Sequence, residues 1–282
     1  MPSFLRIPKI QLALTLILIY LTVFKFYPVV QSLFVLIVSL GSVILFDLVF
    51  TLIRRRTLFI GGANSLLIGG AKNLFIPYAA IVTGLIIALI IDPEAKWYQI
   101  AVVSGIAMGA KNFIRVSDRH IFNPAAIGLF VGGIIFSQYV AWWGVSFQSI
   151  RQVTLLNLVL FLILLSPAVV SAYRMRRIYS IITFILTYTV FSHIFTFTLS
   201  IQSIINRMFD PTVLFFSLVM LPEPMTSPVT PKRQVLYGII VALIVQLIAY
   251  PSISSSLTDR GLLPDLFILA LLLGNLLFFK FR

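Results

Sequence analysis

The residue types able to do chemistry in this sequence cluster in two short stretches. They are Phe122-Asn123-Pro124-Ala125-Ala126 and Pro222-Glu223-Pro224-Met225-Thr226-Ser227-Pro228-Val229-Thr230-Pro231. The Asn123 amide offers a donor and an acceptor. Glu223 brings a negative charge held between two prolines, and Thr226 and Ser227 add hydroxyls. Most of the surrounding sequence is apolar, and hydrocarbon cannot solvate an amide, a carboxylate or a broken helix. Such groups survive only where protein, a ligand or a wet cavity satisfies them. If both stretches face the same side of a membrane, they mark one site.

Composition bounds the rest. Of 282 residues, 60% are hydrophobic and only 10% charged, where a soluble domain averages about a quarter charged. The expectation is an all-α integral membrane protein, a single polytopic domain over 1–282, inserted in the lipid bilayer of the cell (inner or plasma) membrane. A net charge of +13 then reflects cytoplasmic loops and anionic lipid, not a nucleic-acid partner. Arg6 and Lys9 precede the first apolar segment without a small-residue cleavage site, so that segment reads as a retained anchor. The absence of cysteine excludes disulfides, thiol nucleophiles and cysteine-ligated clusters. There is no Walker or dinucleotide fingerprint, and no pattern expected to hold a metal.

A helix needs roughly 20 apolar residues to cross the bilayer core. Ten segments come near that length, at 10–27, 30–53, 74–91, 98–114, 122–143, 153–173, 178–200, 204–221, 235–250 and 264–280. The connection between Arg54 and Asn73, with Gly61-Gly62 and Gly69-Gly70, reads as a re-entrant or a cytoplasmic loop. With the N-terminus inside, Lys25, Lys96, Arg151, Arg207 and Arg260 fall outside. Of 21 Lys and Arg, that leaves sixteen inside. The asymmetry supports ten helices with both termini cytoplasmic and both polar stretches at the cytoplasmic face. Arg119-His120-Ile121-Phe122-Asn123-Pro124 is echoed by Asn206-Arg207-Met208-Phe209-Asp210-Pro211. This suggests two five-helix halves, 1–150 and 151–282, although two ordinary N-caps account for the same echo.

Within this frame the stretch from Ile81 to Leu129 is distinctive. It carries Thr83-Gly84-Leu85-Ile86-Ile87, then Gly109-Ala110-Lys111-Asn112-Phe113, then Phe122-Asn123-Pro124-Ala125. With the later Pro222–Thr230 stretch and Tyr237-Gly238, it resembles the membrane-subunit family shared by two respiratory complexes. These complexes are the sodium-translocating NADH:quinone reductase and the Rnf electron-transport complex. The resemblance covers roughly residues 74–240 and implies a flavin-bearing subunit that passes electrons. By that resemblance a non-covalent flavin, FMN or riboflavin, lies near the cytoplasmic face. The candidate cofactor-binding residues are Asn123, Phe122, His120, Lys111, Thr83, Glu223, Thr226 and Ser227. Asn123 offers a donor and an acceptor to the ring, and Phe122 and Phe113 offer aromatic surface. Lys111 or the helix start at Asn123 stabilises negative charge on a reduced flavin.

Departures from the family pattern qualify this picture. Its Ser/Thr-Gly-Ala-Thr attachment sequence is missing, since Ser104-Gly105-Ile106-Ala107 lacks the threonine, so covalent flavinylation is not expected. A Gly-rich approach to Asn123 is replaced by Arg115-Val116-Ser117-Asp118-Arg119-His120, which favours a phosphate-bearing flavin. Asp118 pairing with Arg115 or Arg119 is the blander reading. Lys111 equally serves as an inside anchor, Asn123 as a plain N-cap and Thr83 as packing glue. Asp47 is an intramembrane acid, for an ion path or an ion pair with Arg54. His120 and His193 lie at opposite edges, so a bis-histidine haem is not expected. Gly105 to Gly109 and Gly128 to Gly132 read as close helix packing. The chain needs a separate electron-donor protein or further membrane subunits. A small-solute or vitamin transporter built as a two-half bundle is the alternative, and a scaffold without cofactor a third.

Overall fold

In the computed structural model the described residues are 8–55, 78–137, 140–145, 155–196 and 200–281. They fold almost entirely into helices: α1 (Pro8–Val23), α2 (Val29–Arg55), α3 (Tyr78–Ile90), α4 (Trp97–Phe113), α5 (Pro124–Phe136), α6 (Leu155–Arg174), α7 (Ile178–Thr196), α8 (Ile201–Met208), α9 (Pro211–Phe215), α10 (Pro231–Ile248), α11 (Pro251–Asp259) and α12 (Leu266–Phe278). A π-helical turn, Phe216–Met220, continues α9. A two-residue hairpin pairs β1 (Arg115–Val116) with β2 (Arg119–His120), turning at Ser117 with φ 55°. The glycine-rich loop around Gly61–Gly70 lies outside the described residues.

Each of the ten expected segments contains a helix, but fewer are long enough to cross a bilayer. Among the described residues three qualify by length and apolarity, Val29–Arg54, Ile178–Phe195 and Pro231–Ile248. A fourth does if Ile201–Met208 and Pro211–Met220, bent by 43°, count as one broken span. At 13 residues each, α3, α5 and α12 reach about 20 Å, short of a core of about 30 Å. Segment five shows why an apolar count overshoots. Its helix ends at Phe136, Ser137 adopts φ 50°, and residues 140–145 lie as a strap against the end of α3. There Ala141 and Trp142 N–H donate to Ile90 O, Gly144 N–H to Leu89 O, and the Trp143 indole to Ala88 O. The strap thus satisfies the carbonyls that end α3, which is buried from Thr83 to Ile90. Its Trp142 indole also reaches Asp265, the N-cap of α12, at 2.7 Å.

Packing runs α1 on α3 and α6, α2 on α3 and α4, α4 on α5, α7 on α10, and α12 on α5 and α10. Close approach is set by glycine in α5. A Cβ on Gly128 would lie 2.5 Å from Val103 O, and one on Gly132 2.4 Å from Val103 Cγ2. The second glycine pair behaves differently: Gly105 and Gly109 meet only the rims of Phe46 and Phe50 at 3.3 and 3.7 Å. Outward positions of α2, such as Val30 and Ile37, are exposed and apolar, as a lipid-facing surface requires. In contrast α8 buries no residue and carries a strong apolar face, the signature of an interfacial helix.

Candidate functional site

The two polar stretches meet. Pro124 occupies the first turn of α5, where its missing N–H costs nothing. Asn123 caps that helix, accepting the Ala126 N–H at 3.2 Å, and its amide nitrogen donates across the fold to Met220 O at 3.3 Å. Met220 ends the π turn, where Leu221 N–H reaches back to Phe216 O at 3.0 Å. Widening the helix there presents a carbonyl to the side, as π turns at sites often do. Immediately beyond, Thr226 and Ser227 N–H close a turn on Glu223 O at 3.1 and 2.9 Å. The prolines at 222, 224 and 228 restrict its φ angles.

The second bridge joins two titratable side chains. Nε2 of His120, at the end of the hairpin, lies 2.9 Å from Oε1 of Glu223. Thr226 donates to Oε2 at 3.1 Å, and Ser227 to the Glu223 carbonyl at 2.7 Å. His120, Asn123, Thr226 and Ser227 are buried, while the Glu223 side chain keeps 21% exposure. Glu223 is therefore the member of this group that still faces outward. Phe122 is half-buried against the core.

Two of the expected residues stand apart. Lys111 pairs with Asp47 at 2.8 Å, and the neighbouring Asn112 amide donates to the same carboxylate oxygen at 3.2 Å. So Asp47 bridges α2 to α4, and the expected partner Arg54 is replaced by one 64 residues away. Thr83 is buried in α3, where its hydroxyl returns to Ala79 O at 2.9 Å. Lys9 lies within electrostatic range of both Lys111 and Glu223, linking the two groups. Arg115 grips the main chain, donating to Lys111 O at 3.1 Å and to the Asp118 carbonyl. The Phe113 ring is exposed and meets Phe50 edge-on at 5.4 Å. His193 is held by Thr189 O and Ser203.

Sequence reasoning counts Arg177 only as a loop charge, yet it is part of this site. It is 5% exposed, its Nε donates to Ser227 Oγ at 2.9 Å and its Nη2 to Pro224 O at 3.4 Å. Burial, and then the neighbouring Arg119 charge, push its affinity for the proton below that of an ordinary guanidinium. Its loop is pinned by Arg177 N–H to Ala172 O and by Gln234, whose amide donates to Arg176 O at 2.7 Å. No local signal distinguishes Arg177 from Arg174 and Arg176 beside it.

For a flavin ring, Asn123 retains a second lone pair and a second amide hydrogen, and the outward oxygen surface of Glu223 accepts. Nη1 of Arg119 is buried and none of the described residues accepts from it, and Gln234 Oε1, an acceptor, likewise has no partner among them. This donor set fits a polar, negatively charged group. No protein-family model matches the sequence. None of the curated proteins matches it either.

Proposed function

We propose that this chain is a flavin-binding, multi-pass membrane subunit of an electron-transport system resembling the Rnf complex and the sodium-translocating NADH:quinone reductase. Its flavin is non-covalent and lies near the cytoplasmic face. The observation that carries the reading is the double bridge, Asn123 to Met220 and His120 to Glu223, which joins motifs about 100 residues apart in the same order as in that family.

When bound, a flavin supplies one- and two-electron redox chemistry. The chain's part is to orient the ring and to set the charge around it. Asn123 is itself held at both ends, so the angles of its remaining donor and acceptor are fixed before any ligand arrives. His120 and Thr226 fix both oxygens of Glu223, which keeps that carboxylate from swinging into a neighbouring site. Lys9, Arg119 and Arg177 give this end a positive surround that favours a reduced, anionic ring. Electrons come from a separate protein, and the basic face offers it a docking surface.

The test is the visible absorption spectrum of the purified protein in detergent, repeated on the supernatant after acid precipitation. A flavin band released by acid is the expected result. Colour retained in the precipitate would overturn the non-covalent attachment. A colourless, folded preparation that takes up no added flavin would sink the proposal and turn attention to a transporter.

A further inference from the structure

Among the described residues no carboxylate bonds Arg119 or Arg177. Glu223 is engaged by His120 and Thr226, Asp47 is engaged by Lys111 and Asn112, and Asp118 meets Arg115 through its main-chain carbonyl. Both acceptors of Arg177, Ser227 Oγ and Pro224 O, are neutral. Arg119 offers a buried Nη1 that no described residue accepts. Arg119 is joined to Arg177 through a short chain of contacts: its neighbour His120 to Glu223, Glu223 O to Ser227, Ser227 to the Arg177 Nε. Arg177 is buried and Arg119 half-buried, and a buried cation is disfavoured without a counter-charge, so the pair calls for an anion. A strap role explains the two bonds of Arg177 but leaves the free donor of Arg119 without a purpose.

We propose that Arg119 and Arg177 form a phosphate-binding site whose ligand is a phosphomonoester, the terminal phosphate of FMN. Two guanidinium groups match a dianion, where a carboxylate would neutralise only one. Ser227 and Pro224 take Nε and Nη2 of Arg177, which leaves its Nη1 hydrogens, together with Nη1 of Arg119, for phosphate oxygens. The identity of the ligand rests on the flavin reading above; the phosphate site does not.

The test compares FMN with riboflavin on the full chain in detergent after removal of any bound flavin. Wild type binds FMN at least about tenfold more tightly, as one added charge-assisted contact implies. Arg119→Gln shrinks that preference to about twofold or less by weakening FMN far more than riboflavin, and Arg177→Lys, which keeps the charge but not the fork, shrinks it partly. Arg119→Gln removes no hydrogen bond, so its unliganded unfolding temperature stays at or above that of wild type. A fall there would make Arg119 structural and overturn the site. If neither flavin binds, but inorganic phosphate raises the unfolding temperature of wild type and not of Arg119→Gln, the flavin reading fails and the phosphate site stands. If only bilayers containing phosphatidic acid give that rise, the phosphate comes from a lipid headgroup. Equal binding of both flavins, with no response to phosphate or phosphatidic acid, refutes the proposal.

Discussion

At Asn123-Pro124 and at Asp210-Pro211 the backbone has nearly the same shape, φ −58° with ψ 122° in one and φ −58° with ψ 127° in the other. In both, the side-chain oxygen accepts N–H groups of the first turn and proline follows in that turn. Beyond the cap they diverge. Asn123 has an amide nitrogen left over and extends it to Met220 O, beside the His120 to Glu223 bridge. Asp210 accepts from Thr212 and Val213 N–H, both through Oδ1, and has no donor to extend across the fold. At the equivalent place further along each helix, α5 has Gly128 against the α4 backbone, while α9 has the buried ring of Phe215. Local sequence writes the same helix start twice; only one is wired into a site.

The comparison can be broken most forcefully at Gly128. Gly128→Val drives a side chain into Val103 O and should cost about 3 kcal/mol or prevent folding. Phe215→Leu, at the matching position, should cost about 1 kcal/mol. Denaturant unfolding in detergent measures both, and equal costs would contradict the packing described.

Exchanging the caps sharpens it next. Asn123→Asp turns a donor into an acceptor facing Met220 O, which raises the folded-state pKa of the new carboxyl above its unfolded value of about 3.9. A group raised in this way favours folding in its protonated form. Stability is therefore kept below about pH 4 and lost as pH rises through the folded pKa, by roughly 2 kcal/mol at neutral pH. An unfolding midpoint that does not depend on pH would show that the Met220 contact is unimportant.

Removing the caps should give a smaller but still unequal pair. Asn123→Ala loses a cap and leaves a buried carbonyl unpaired, about 2 kcal/mol, and it lowers flavin retention. Asp210→Ala loses only the cap, about 1 kcal/mol. Retained flavin in folded Asn123→Ala would remove that residue from the site. The mildest change, Asp210→Asn, keeps the cap oxygen and should stay within about 0.5 kcal/mol.

How far the sequence can be read follows from the range of each interaction. Caps at Asn123 and Asp210, a chain of apolar helices, and an end rich in basic residues all depend on neighbours a few positions away. Even the small hairpin at Arg115–His120, which periodicity does not reveal, is local, and it needs only Ser117 to take a left-handed turn. Segment five misleads because Val140–Val145 is as apolar as a span, yet closes onto α3 through backbone bonds that composition does not encode. Likewise Arg54 is the nearest cation to Asp47 along its own helix, but the packing of α4 supplies Lys111 instead.

By itself, then, the sequence determined a helical, strongly apolar and basic chain, with two short polar stretches that hydrocarbon cannot solvate. Tertiary structure decided that those stretches touch, that α3 is a short enclosed helix and α5 a short one packed on α4, and that Arg177 comes within electrostatic range of Arg119. The physical reason is reach. Helix periodicity and capping act over one turn, about 5 Å, whereas the bridges to Met220, Glu223 and Ser227 join residues 50 to 103 positions apart and exist only once the bundle has packed.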